Sequence, residues 1–304
     1  MSKLITVFGA TGNQGGSVIR ALLADPVLSK EFKIRGITRD SSKPAAQELA
    51  SKGVELVSAD LGSVESVASA VKDAHTIFLV TNYWETASRK VEVEQGKNVA
   101  DAAKAAGVSH LIFSSLINVT EASKGSLPNV PHFDGKAEIE RYIRASGVPA
   151  TFVLPGYFMS SLISSLRKQE DGSYQMFLPV SDAARFPLFD AVSDTGKFVT
   201  AAIKNRSTVL GKHIYEAVDY YSPSRIVSEF TEATGKKASW TQIPGDNYKA
   251  FLPAAVAQEF LENHLLLEDP GYYASANLEE SLALVQQQPT TWKEFVTNNV
   301  AKFA

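Results

Sequence analysis

Cysteine is missing from the chain altogether. Its absence excludes disulfides, thiolate catalysis, thiol-based redox sensing and most zinc sites together. No metal site is expected, and any redox response has to run through a bound cofactor. Long apolar runs are missing too. No segment approaches the ~18 consecutive apolar residues of a membrane span, so no membrane partner is expected. Excess charge is small: 30 Lys and Arg against 33 Asp and Glu leave a formal net charge of -3. Direct nucleic-acid binding needs a basic face that this balance does not supply, and a part in gene regulation would run through another protein. Lys3 precedes an apolar run too short for a signal core, so the expected address is the cytoplasm, with the nucleus open.

What is present is the composition of an ordinary globular protein, 44% hydrophobic and 21% charged over 304 residues. The first half alternates short apolar strands with helical patterns, the signature of a parallel sheet with helices on both faces. Strands are expected at 4–8, 33–38, 55–58, 76–80, 111–114 and 151–154. Val64, Val67, Ala68 and Val71 fall at i, i+3, i+4 and i+7, one face of a helix. A longer helix is expected over 87–106, with Val91, Val99, Ala102 and Ala103 inward and Gly107 ending it. Another, over 134–145, turns Ile139, Tyr142 and Ile143 inward and stops at Gly147. Beyond Pro155 and Gly156 the rhythm loosens. There the pattern predicts helices at 160–168, 222–234 and 253–266, another starting near Asp194, and a strand at 174–178.

The run Gly9, Ala10, Thr11, Gly12, Asn13, Gln14, Gly15 follows the first strand directly and opens the helical run from Ser17. Strand, glycine turn and helix in this order present backbone N–H groups and a positive helix end to a dinucleotide pyrophosphate. The fold class is therefore α/β, a Rossmann-type doubly wound parallel sheet with a smaller α+β C-terminal subdomain. Residues 1–155 form the nucleotide-binding domain and 156–304 the substrate- or partner-binding subdomain, with the chain crossing back to the sheet. At the end of the second strand an NAD site places Asp or Glu; this chain has Thr38 and Arg39. A guanidinium suits the 2′-phosphate of NADP, unless Arg39 is a solvated residue neutralised by Asp40. Asp60 and Leu61 follow the third strand, placed either to bracket an adenine edge or, for Asp60, to cap the next helix. Thr81, Asn82, Tyr83 and Trp84 follow the fourth, where they can line the ribose and nicotinamide.

These motifs carry a family resemblance. The chain resembles the NmrA-like family of atypical short-chain dehydrogenase/reductases, close to its NADPH-sensing branch. The resemblance rests on the glycine run, Thr38-Arg39, Val80-Thr81-Asn82-Tyr83-Trp84-Glu85 and His132-Phe133-Asp134-Gly135-Lys136. It continues through Leu154-Pro155-Gly156-Tyr157-Phe158 and Thr290-Thr291-Trp292-Lys293-Glu294-Phe295, nearly the whole chain. It implies that NADP(H) is held by Gly9 to Gly15, Arg39, Asp60, Leu61, Thr81, Asn82, Tyr83, Lys136, Pro155, Gly156, Tyr157 and Phe158.

One departure bears on catalysis. Active members of the wider superfamily carry Tyr-x-x-x-Lys, which i, i+4 spacing puts on one helix face. Here Lys136 keeps the lysine position and His132 stands where the tyrosine would be. An imidazole can act as acid or base, but it is shorter than a phenol and sits beside Lys136. Lys136 and His132 are thus the catalytic candidates, with His132 the weaker, and Ser114 or Ser115 stands where the superfamily's catalytic serine would. The resemblance favours a dinucleotide-occupancy sensor that acts through a protein partner, a transcription factor or a metabolic enzyme, and that can form a homodimer. The alternative is an NADPH-dependent reductase of quinones or of small carbonyl and enone compounds. A scaffold with no cofactor is the third reading.

Overall fold

The structure, a computed structural model, describes residues 2–303. Its centre is a seven-stranded, wholly parallel sheet. The strands β1 (Lys3–Val7), β2 (Phe32–Thr38), β3 (Glu55–Ser58), β4 (Thr76–Leu79), β5 (His110–Ser114) and β6 (Ala150–Pro155) come from the first half. The seventh, His213–Glu216, returns from the second half and pairs with β6. Reading across, the order is His213–Glu216, β6, β5, β4, β1, β2, β3. Sequential strands run outward from β1 in both directions, so the order reverses between β1 and β4. Ligands in open α/β sheets sit at such a reversal, outside the carboxyl ends of the strands.

Both faces are buried, and alternate residues divide between them as the pleat requires. Ile77 and Leu79 of β4, Phe113 of β5, and Phe152 and Leu154 of β6 face one core with Val67, Val99, Ala103, Ile139 and Ile143. The residues between them, Phe78, Ile112 and Val153, face the other core with Ile5 and Val7. That second core is closed by α1 (Asn13–Ala24) and by the helix Thr195–Lys204, through Val18, Ile19, Leu22, Phe198 and Val199. These two helices cross at van der Waals limit. A Cβ on Gly196 would lie 2.4 Å from the Ser17 carbonyl oxygen, and the Gly196 N–H donates to Ser17 Oγ at 3.0 Å.

Several expectations shift on contact with the fold. The helix expected over 87–106 runs Arg89–Ala105, because Ala87 has φ +48° and Ser88 caps the helix by accepting from the Val91 N–H. In that first turn Val91 is 37% exposed, and Val93 takes the inward place. Val64 likewise opens its helix, Val64–Ala70, facing solvent. Tyr142 is half-buried, its hydroxyl turned out to Asp101 at 2.8 Å. The helix expected over 160–168 stops at Ser165, and Arg167–Lys168 instead pairs antiparallel with Tyr174–Leu178. Pro131 moves the next helix start forward, to Pro131–Ser146, proline being suited to a first helical position.

The remaining C-terminal elements form two three-stranded sheets and helices packed on the strand ends. One of these helices, Ala254–Leu265, reaches the carboxyl edge of the main sheet. Among the described residues no helix is long and apolar enough to cross a membrane. Because Gly196 abuts backbone, Gly196→Ala is expected to lower the unfolding free energy by about 1–3 kcal/mol, the usual range for overpacking. Urea unfolding followed by circular dichroism measures this.

Candidate functional site

A cleft of about 730 Å³ runs along the carboxyl ends of the strands. Its floor at one end is the glycine loop. Gly9 has φ +65°, a conformation that side chains other than glycine's resist. Its carbonyl accepts the Gly12 N–H at 2.9 Å. A Cβ on Gly15 would fall 2.2 Å from the same carbonyl oxygen, so only glycine lets α1 start this close to β1. Gly12 caps α1 without a side-chain bond, and no acidic residue occupies the first turn. The first-turn amides and the positive end of the helix therefore remain free for an anion. Gln14 is anchored from behind, accepting from Ser114 Oγ at 2.8 Å.

At the end of β2 the Arg39 side chain is 70% exposed, and its guanidinium pairs with Glu85, not with Asp40. Asp40 is turned to its own loop, where Oδ1 accepts from the Ser42 N–H at 2.9 Å and Oγ at 2.6 Å. Leu61 lines the cleft, whereas Ala10 and Asp60 do not. Ala10 is buried, its N–H bonded to the Ile37 carbonyl at 3.1 Å. Asp60 is exposed and accepts from the Gly62 N–H at 2.8 Å; Ser63 caps the following helix.

The middle of the cleft holds Thr81, Asn82, Tyr83 and Lys136. Lys136 Nζ donates to the Thr81 carbonyl at 3.1 Å, to Thr81 Oγ1 at 2.8 Å and to Glu92 Oε1 at 2.8 Å. All three of its protons thus have protein acceptors. Glu92, buried on the Arg89–Ala105 helix, neutralises the ammonium, and its Oε2 has no hydrogen-bond partner. The serines stand apart from this. Ser114 and Ser115 are fully buried, the first bonded to Gln14 and the second to Glu140 Oε2 at 2.6 Å.

Beyond Lys136 the walls become aromatic. Trp84, 46% exposed, stacks on Phe260 with ring centres 5.3 Å apart. It lies edge-on to Tyr83 at 5.0 Å. Tyr272 packs on Phe133 at 5.1 Å. His132 sits among these rings, its Nδ1 bonded to Glu259 Oε1. The other oxygen of Glu259 accepts from the Tyr83 hydroxyl at 3.2 Å. Burial first, and Glu259 second, push the Tyr83 phenol up to about 12. Glu259, Phe260 and Asn263 all come from the Ala254–Leu265 helix, which the sequence pattern identified as a helix without marking any of its residues as functional. The only signal was polar residues on an apolar helix, a weak one. Asn263 is nearly buried, and its carbonyl oxygen has no partner.

Pro155, Gly156, Tyr157 and Phe158 close the far wall. Gly156 is squeezed between strands: a Cβ there would lie 2.2 Å from the Pro187 carbonyl oxygen. Its N–H donates to the Glu216 carbonyl at 3.0 Å. The Tyr157 hydroxyl meets His264 Nε2 at 3.4 Å, and burial holds that imidazole down at about 4. The Glu216 carboxyl is fully buried with neither oxygen bonded. Burial, helped by the Asp194 carboxyl, holds it well above the usual carboxylate range.

A parallel sheet with a glycine turn and an uncapped helix at its order reversal defines a Rossmann-type dinucleotide fold. The chain belongs to the NmrA-like family, whose sequence model matches residues 1–296. The NmrA-like family domain-containing oxidoreductase ptmS of Penicillium ochrochloron is 38% identical over 270 residues, 82% of this chain and 78% of ptmS. The negative transcriptional regulator NmrA, solved in complex with NADP, matches with TM-score 0.82 at 23% identity, covering 98% of this chain and 95% of NmrA. NmrA has also been solved with NAD. The Escherichia coli NADPH-dependent quinone oxidoreductase QOR2, complexed with NADPH, matches with TM-score 0.77 at 22% identity, covering 97% and 99%. At these identities the structural likenesses are likenesses of fold.

Glu216 yields a pH prediction. Its folded-state carboxyl keeps its proton above the pH at which the unfolded chain loses it. The native state therefore binds more protons, and stability falls as pH rises from about 4.5 toward the raised value. Glu216→Gln removes that dependence. The variant is expected to be more stable than the parent at pH 8, with a smaller gain at pH 5, in urea unfolding at both.

Proposed function

We propose that the chain binds NADP(H) and reduces a planar conjugated acceptor, a quinone or an enone. The observation that carries this reading is the continuity of the cleft, from a free helix end with a basic residue at β2 to a half-buried aromatic chamber. The residues fit the dinucleotide. The Gly9 and Gly15 cradle leaves room a side chain would fill, α1 offers its amides to the pyrophosphate, and Arg39 meets a 2′-phosphate. Bound there, the reduced dinucleotide supplies hydride. The chain's own part is to orient and to exclude water. Lys136 fixes the Thr81 backbone, while Trp84, Phe260 and Tyr272 offer apolar faces to a flat acceptor. That ptmS is described as an oxidoreductase supports the reading.

A second reading, the dinucleotide-occupancy sensor, draws on two contacts. Lys136 has no proton left for a ligand, and a 2′-phosphate on Arg39 would displace Glu85. Glu85 belongs to the same turn as Tyr83 and Trp84 (Tyr83–Glu85), so the phosphate would be felt at the cleft mouth. Such a shift requires different affinities for the two states. A transcription regulator or a metabolic enzyme would read the difference.

The deciding experiment follows NADPH oxidation by purified protein with benzoquinone, naphthoquinone and cyclohexenone. Turnover with any of them supports the reductase; tight NADPH binding with no turnover contradicts it and supports the sensor. For cofactor choice, Arg39→Ala is expected to weaken NADPH binding roughly 10–100-fold, since a bond to a charged group is worth about 1.5–3 kcal/mol. NADH binding should change little. Fluorescence titration of both nucleotides checks this.

A further inference from the structure

We propose that His132 is the catalytic acid of this cleft and that Glu259 is the residue that positions it. The inference rests on the reductase reading above. Glu259 is almost buried, and it arrives from the Ala254–Leu265 helix, 127 positions along the chain from His132. Its Oε1 faces both His132 Nδ1 and the His132 backbone N–H, the latter at 3.4 Å. A carboxylate only accepts, so the proton on the neutral imidazole sits at Nδ1. Nε2 has no protein partner among the described residues, and the ring lines the cleft. Three aromatic rings fix its plane: Phe133 at 4.9 Å, Trp84 at 5.1 Å and Tyr83 at 5.8 Å between centres.

The neighbouring groups are committed elsewhere. The Tyr83 hydroxyl donates to Glu259, Tyr157 meets His264, and Lys136, one helical turn beyond His132, has all three protons accepted. Burial drives the Tyr272 phenol far up. Of the titratable groups on the elements that enclose the imidazole, Glu259 bonds it and Tyr83 packs on it. Lys136 is paired with Glu92, Glu85 with Arg39, and Asp134, Glu262 and His264 are bonded to Val119, Asn129 and Tyr157.

The step balances as follows. The acceptor carbon takes hydride, with its two electrons, from the reduced dinucleotide, and the carbonyl π pair moves to oxygen. That oxygen takes the proton from Nε2 of the protonated imidazole, whose other proton stays on Nδ1, hydrogen-bonded to Glu259. The acceptor is reduced, the dinucleotide oxidised, and solvent at the cleft mouth returns one proton to Nε2.

The test has two parts. Long-range ¹⁵N–¹H correlations on cofactor-free protein give the tautomer of neutral His132; the expected form is protonated at Nδ1, and protonation at Nε2 overturns the proposal. In steady-state assays with a quinone, His132→Gln is expected to lower kcat about 10²–10⁴-fold, the usual worth of a general acid. KM for NADPH should hold. Glu259→Gln is expected to lower kcat at least tenfold with KM unchanged, and added imidazole should restore part of the rate in His132→Ala. A merely structural latch would raise KM and lower thermal stability without imidazole rescue. Full turnover in His132→Gln overturns this proposal alone, whereas a wild type without turnover overturns the reductase reading and the proposal with it.

Discussion

Gly9 and Gly15 approach so closely that no other residue fits at position 15, and the rest of the site depends on that approach. With a Cβ there, overlap with the Gly9 carbonyl would push α1 away from β1. The approach puts the first-turn amides at the reversal point of the sheet, uncapped and unopposed by acid. It also sets α1 against the Thr195–Lys204 helix from behind, where Gly196 meets Ser17. One backbone contact thus fixes both the phosphate end of the cleft and the helix layer beneath it.

Three acid–base pairs then grade the cleft from rigid to yielding. Lys136 and Glu92 are buried, and breaking such a pair strands a charge at a typical 3–5 kcal/mol. His132 and Glu259 are nearly as enclosed and join the second half of the chain to the first. Arg39 and Glu85 are exposed, where a pair contributes about 0–1 kcal/mol. A phosphate binding through charge-assisted bonds outbids only the last of these. The inner pairs are therefore costly to break, and the outer pair is the one a ligand phosphate would displace at least cost.

Much of this was legible in the residues. The sheet follows from short apolar runs alternating with helical patterns, the mark of strands buried on both faces, and the strands lie within a residue of where those runs place them. The glycine turn was legible because backbone clearance is a local fact. Glu259, Phe260 and Asn263 were not, since their role comes from a tertiary approach across more than 100 residues that no helix periodicity encodes. Asp60 was placed by its position after a strand; its carboxylate accepts from the Gly62 N–H, and the cleft is lined there by its neighbours Ala59 and Leu61. Val91 shows the same limit at smaller scale: eight residues before Val99, it stands about 80° round the helix from it, in an exposed first turn.

The central claim is that this cleft holds NADP(H) through the free end of α1 and Arg39. A crystal structure of the protein soaked with NADPH tests it most directly. The account predicts the pyrophosphate on the amides of Asn13 to Gly15, the 2′-phosphate on Arg39 with Glu85 released, and the nicotinamide facing His132 and Trp84. A dinucleotide bound elsewhere, or one bound in the cleft with Arg39 still paired to Glu85, would contradict it.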